Sequence, residues 1–105
     1  MSGRVAGKKI FITGAAQGLG FAMAQACAAE GAQVALADIN AAGADDRAAA
    51  INDKYGAGTA FAYALDVTNE DHWIVALEAA NMAMGGISGL VNNAGISSRE
   101  GGIEE

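Results

Sequence analysis

Proline is absent from the 105 residues, cysteine and histidine occur once each, and the 6 basic side chains are half as many as the 12 acidic ones. Each shortage excludes something. Cys27 has no second cysteine to pair with, so neither an internal disulfide nor a cysteine metal cluster can form, and a reducing, cytoplasmic setting is expected. His72 sits at the start of a helical pattern and is expected to face solvent, because a catalytic base needs a placed partner. The formal net charge of −6, with no basic cluster, argues against nucleic acid or an anionic membrane as partner. No apolar run approaches the ~18 residues of a membrane span. The opening MSGRVAGKK lacks the apolar core of a signal peptide. Neither an internal repeat nor a low-complexity linker is evident, so this length is one domain or part of one.

What is present is a globular composition, 52% apolar and rich in alanine and glycine. Short apolar runs alternate with helical patterns. Residues 9–13, 33–39, 59–67 and 89–95 read as strands buried on both faces. Residues 18–30 read as a helix with Leu19, Ala22, Met23, Ala26 and Ala29 on one face and Gly31 as the stop. Asn40 can cap a second helix reaching about Tyr55, with Ala44, Ala48 and Ile51 inward. Thr68 can cap a third, with Asp71 as its capping-box partner and Trp73, Leu77, Ala80 and Met84 at helical spacing. Trp73 and Cys27 are expected to pack rather than to hold a ligand. This alternation of strand and helix predicts an α/β fold, a parallel sheet covered by helices on both faces.

The first strand runs into TGAAQGLG, with glycines at 14, 18 and 20. A helix N-terminus presents unpaired N–H groups and a partial positive charge, which suits phosphate. Gly14 permits the sharp turn, Gly18 leaves room for phosphates to approach, and Gly20 lets the helix lie against the strand. Asp38 ends the second strand 18 residues beyond Gly20, close to the ~20 expected for a carboxylate that binds an adenosine ribose.

With these residues in order, the sequence resembles the short-chain dehydrogenases/reductases. TGAAQGLG looks like the family's TGxxxGxG loop, and Asp38 stands where the family keeps its ribose acid. LDVT, residues 65–68, matches the segment after the third strand, where the resemblance puts Asp66 on the adenine amino group and the Val67 backbone on the ring. NNAG, residues 92–95, matches the signature ending strand four; its backbone lines the cofactor site and Asn92 ties neighbouring strands together. The resemblance implies a Rossmann-type doubly wound sheet in order 3-2-1-4, stopping after the fourth strand. It implies NAD as cofactor and a binding set of Gly14, Gln17, Gly18, Leu19, Gly20, Asp38, Ile39, Asp66, Val67, Asn92, Ala94 and Gly95. No metal ligand is implied.

The family's catalytic serine, tyrosine and lysine are not matched. The lysine should follow the tyrosine by four residues, yet Thr59 follows Tyr55 and Val67 follows Tyr63 at that spacing. Nothing marks Ser97 or Ser98 as an activated nucleophile. Residues 1–105 therefore read as the N-terminal, cofactor-binding half of a dehydrogenase that transfers hydride between NAD(H) and a carbonyl or secondary alcohol. Two other readings stay open: a stand-alone dinucleotide-binding module without catalysis, and a structural half-domain that self-assembles with idle motifs. Strand 89–95 would lie on a sheet edge without protecting lysine or proline, so self-association, or pairing with a missing C-terminal half, is expected through it.

Overall fold

Alternation along each strand divides the core into two layers. Successive strand residues point to opposite faces of a sheet. Ile12, Val34, Leu36 and Ala60 share one face, packed with Ala24, Ala28, Ala48 and Ile51. Phe11, Ala35 and Ala37 share the other, packed with Leu65, Ala76, Ala80 and Met84. The computed structural model describes residues 6–93. Its elements are β1 (Lys9–Thr13), α1 (Gly18–Ala29), β2 (Gln33–Asp38), α2 (Ala41–Tyr55), β3 (Ala60–Ala64), α3 (Glu70–Met84) and β4 (Gly89–Asn92).

The strands form one parallel sheet in order β3-β2-β1-β4, the Rossmann-type order expected. The chain steps outward from β1 to β2 to β3, so right-handed crossovers put α1 and α2 on the same face. It then reverses to β4 on the far side of β1, which sends α3 to the opposite face. Val34 through Ala37 are fully buried, as a strand covered on both sides must be. No helix among the described residues is long and apolar enough to cross a membrane.

Several local expectations need correction. The inward face of α1 carries Gly20, Ala24 and Ala28, whereas Leu19 is 67% exposed and Ala22, Ala26 and Ala29 face solvent. Alanine occupies so many positions that more than one stripe has helical spacing. The requirement that Gly20 meet backbone decides between them. Cys27 is half-buried beside the first core layer. The third strand stops at Ala64 instead of Val67. Beyond Leu65 the chain turns, because the Asp66 carboxylate accepts from Thr68 N–H at 2.9 Å and from the Thr68 hydroxyl at 2.6 Å. That hydroxyl is spent, so Thr68 does not cap α3. Asn69 does, accepting from His72 N–H at 3.2 Å, and Asp71 has no capping-box role. The fourth strand ends at Asn92, and Gly95 lies outside the described residues.

The second helix begins as expected, with Asn40 accepting from Gly43 N–H at 3.0 Å and Ala44, Ala48 and Ile51 buried. Its far end is fixed by a residue no motif singles out. Asn52 accepts from Thr59 N–H at 3.0 Å and Ala60 N–H at 2.8 Å, and its amide donates to Ala60 C=O at 3.0 Å. One side chain thereby supplies the first residues of β3 with the partners an edge strand lacks. Asn52→Ala is expected to lower unfolding free energy by about 2–4 kcal/mol, three hydrogen bonds at their usual net value, in urea denaturation of the chain.

Candidate functional site

The register brings the carboxyl ends of the strands level. Thr13 pairs with Ala37 of β2 and with Asn92 of β4, and Asp38 pairs with Ala64 of β3. The loops carrying the glycines, Asp38 and Asp66 therefore leave the sheet at one edge. The strand order reverses between β1 and β4, the switch point at which such sheets hold ligands.

At the end of β1 the backbone turns at Gly14, with φ of 63°. Ala15 N–H still reaches Ala37 C=O at 3.2 Å, and the next donor, Ala16 N–H, reaches Asp38 Oδ2 at 3.0 Å. The carboxylate thus takes the place that the next strand carbonyl would have filled. Its other oxygen accepts from Asn40 N–H at 2.9 Å. A carboxylate offers roughly four lone-pair positions, so acceptor capacity is left for two further donors.

Gly20 closes the other side of the loop. A Cβ there would run into the Gly14 carbonyl, 2.8 Å from its carbon, and would stand 2.9 Å from Asn93 Nδ2. Asn93 is itself buried and donates to Gly14 C=O at 3.4 Å. Gly18 differs: its φ of 61° favours glycine, and a Cβ would meet nothing within 4 Å. The space in front of Gly18 is open. Leu19 and Ile39, 67% and 72% exposed, present aliphatic surface beside the loop.

The start of α1 is set apart from the other two helices. Gln17 precedes it in extended conformation without a side-chain capping bond, and its first turn carries no acid. Asn40 caps α2, and Asn69 caps α3 with Glu70 and Asp71 in the first turn. The positive end of α1 is thus left without a side-chain counter-charge, as an anion site requires.

Further along the same edge, the hydrogen bonds from the Thr68 hydroxyl and backbone N–H hold the Asp66 carboxyl below the usual carboxylate range. Trp73 Nε1 donates to Val67 C=O at 2.8 Å, so the indole packs and braces this turn. The Thr13 hydroxyl donates to Asn92 Oδ1 at 3.0 Å and joins β1 to β4. Ala94 and Gly95, like Ser97 and Ser98, lie outside the described residues. Tyr63 stacks on Phe11 with ring centroids 6.4 Å apart, and burial pushes its phenol up, away from ready ionisation. Burial likewise pushes the Cys27 thiol up.

Three residues at this edge lie outside the binding set that the resemblance implies. Arg47 Nε donates to Ala16 C=O at 2.9 Å while its guanidinium lies over the Phe21 ring, 4.6 Å from the centroid. Asn93 fastens the loop to the end of β4. His72 accepts from Asp66 N–H at 3.1 Å and so does more than face solvent. A charged side chain one helix away, or an acceptor that depends on a turn's exact path, leaves no spacing pattern to read.

A family model described as short chain dehydrogenase matches residues 8–105. The chain belongs to the short-chain dehydrogenase family. It is 44% identical over 105 residues to the 2,5-dichloro-2,5-cyclohexadiene-1,4-diol dehydrogenase LinX of Sphingobium indicum, covering all of this chain and 41% of that protein. It is 48% identical over 90 residues to the uncharacterized oxidoreductase YuxG of Bacillus subtilis, covering 86% of this chain and 13% of that protein. Among solved structures, it matches 3-ketoacyl-(acyl-carrier-protein) reductase from Brucella melitensis complexed with NADH, with a TM-score of 0.75 and 37% identity over 82% of this chain and 34% of that one. It also matches hydroxysteroid dehydrogenase from Escherichia coli, with a TM-score of 0.79 and 34% identity over 83% of this chain and 36% of that one. This short-chain dehydrogenase chain thus spans 41% or less of the length of these relatives. The family is one of oxidoreductases whose Rossmann fold binds a nicotinamide dinucleotide.

The Asp66 turn gives a direct test. In Thr68→Val the hydroxyl donor is lost while the backbone donor stays, so the Asp66 carboxyl is expected to move up towards its ordinary value of about 3.9. Carboxyl-carbon NMR titration reads the change. Because the folded-state value is depressed, the stabilisation from Asp66 is full above its ordinary value and is lost as pH falls through the depressed one. Thr68→Val is expected to flatten that acid limb of stability.

Proposed function

We propose that residues 1–105 are the NAD(H)-binding half of a short-chain dehydrogenase whose complete form moves hydride between NAD(H) and a carbonyl or secondary alcohol. The observation that carries this reading is the Asp38 carboxylate at the rim of the glycine loop, bonded to Ala16 N–H with acceptor capacity to spare. In it, Gly14, Gly18 and Gly20 shape the cradle, and the first N–H groups of α1, around Gln17 and Leu19, hold the pyrophosphate. Asp38 binds the adenosine ribose, with Ile39 packed beside it. Asp66 accepts from the adenine amino group, and the Val67 backbone borders the ring. Asn92, Ala94 and Gly95 complete the cofactor-binding set, as the resemblance implies. The bound cofactor would supply the hydride acceptor or donor. The protein's own part here is binding and orientation in a cytoplasmic setting.

Preference for NAD over NADP follows from charge. The Asp38 carboxylate would face a 2′-phosphate at close range, and two like charges near 4 Å repel by roughly 4 kcal/mol at an effective dielectric of about 20 before screening. Gln17 and Ile39 bring no compensating cation. Arg47 is bonded to the loop, with its Nε engaged by Ala16 C=O and its guanidinium over the Phe21 ring. Calorimetry with both cofactors is expected to give at least about tenfold tighter binding of NADH, about 1.4 kcal/mol. Tighter NADPH binding would refute the reading.

Self-association belongs to the same proposal. Among the described residues β4 pairs with β1 only, and Leu90 is 52% exposed. Leu77, Ile87 and Leu90, with Glu78 and Asn81, line a groove of about 410 Å³ between α3 and β4. A second copy meeting β4 edge to edge about a two-fold axis would satisfy the strand and cover this groove. Light scattering over a dilution series is expected to show a dimer at micromolar concentration. A monodisperse, cooperatively folded monomer would overturn this part.

A further inference from the structure

The turn between β3 and α3 is held from the helix side by a histidine. His72 lies exposed in the first turn of α3, and its Nδ1 accepts the backbone N–H of Asp66 at 3.1 Å. A ring nitrogen that accepts in this way carries no proton, so the imidazole is neutral with its proton on Nε2. The other groups of the turn are engaged with one another. Asp66 C=O accepts from Asn69 N–H at 2.9 Å, and Asn69 Oδ1 accepts from His72 N–H at 3.2 Å. Asp66 Oδ1 accepts from both donors of Thr68. The His72 ring adds the link that fastens the peptide leading into Asp66 to the helix.

We propose that His72 is a positioning residue for the Asp66 turn: its unprotonated Nδ1 sets the direction in which the Asp66 carboxylate meets a bound adenine, and protonation of the ring releases that turn. The inference rests on the reading of Asp66 as the adenine acceptor. An imidazolium has two N–H donors and no acceptor, so Nδ1–H and Asp66 N–H would confront each other. The charged groups of the same turn are the carboxylates of Asp66, Glu70 and Asp71. The helix packs on β1, β2 and β3. Their ionisable groups are Lys9 at the far end of β1, Asp38 bonded to Ala16 and Asn40, and Tyr63 stacked on Phe11.

The test compares wild type, His72→Ala and His72→Asn by calorimetry with NAD⁺ from about pH 8 to about pH 5.5, an interval in which imidazoles change charge. At the upper pH, His72→Ala is expected to bind about 3- to 10-fold more weakly, the scale of one hydrogen bond. His72→Asn is expected to recover wild-type affinity to within about twofold, because Asn Oδ1 stands where Nδ1 stood and accepts the same N–H. Wild type is expected to lose a similar factor on acidification, and His72→Asn is not. Equal weakening in both variants, or one pH profile shared by wild type and His72→Asn, overturns the proposal. If wild type binds no NAD⁺ at any pH, the cofactor reading fails, and NMR of the free chain decides the positioning role. A downfield Asp66 amide proton in wild type and His72→Asn but not in His72→Ala supports it. The same shift in all three overturns it.

Discussion

The contact between Gly14 and Gly20 is the constraint on which the site depends. Helix α1 begins so close to the turn after β1 that a single methyl at position 20 would collide with the Gly14 carbonyl. That proximity fixes which face of α1 is buried. It also fixes where the first N–H groups of the helix stand relative to the sheet edge. The loop between these glycines is then tied on three sides: Asp38 from β2 on Ala16 N–H, Arg47 from α2 on Ala16 C=O, and Asn93 after β4 on Gly14 C=O. A phosphate cradle made of backbone must be rigid before the ligand arrives, because its donors cannot be re-aimed by changing rotamers.

The same closeness suits the small residues of α1. A helix that approaches the sheet to the distance set by glycine leaves little volume beneath it, and Ala24 and Ala28 fill it, while Ala44 and Ala48 of α2 and Ala76 and Ala80 of α3 are likewise buried. Larger apolar side chains sit where the strands can offer room, at Ile12, Val34 and Leu36 on one face and Phe11 on the other. Core composition here follows from the demands of the loop as much as from the need to bury apolar area.

What the sequence made legible and what it concealed differ in kind. The glycine turn and Asp38 at the rim could be read because glycine and a strand-end acid stand at fixed spacings that backbone geometry demands, and the strand order followed from the family resemblance that these residues carry. The inward stripe of α1 could not, because alanine satisfies several stripes at once and the choice lies in a contact with Gly14 that spacing does not encode. Thr68 and Asn69 are both good caps, and the Asp66 carboxylate decides between them by taking the Thr68 hydroxyl. Arg47 and His72 act on backbone atoms of other elements, through distances that only the folded chain creates.

The bonds that complete the loop also differ in how far along the chain they reach. β1 meets β2 across 24 residues, Lys9 with Gln33, whereas it meets β4 across 79, Ile10 with Gly89. Closing the longer connection costs about 1 kcal/mol more in chain entropy. The end of the crevice built from β1, α1 and β2 can therefore assemble as a local unit. The end beside β4 waits for a distant segment to arrive. The Asn93 latch on Gly14 then records that arrival, making the shape of the cradle a report on whether the fourth strand has docked.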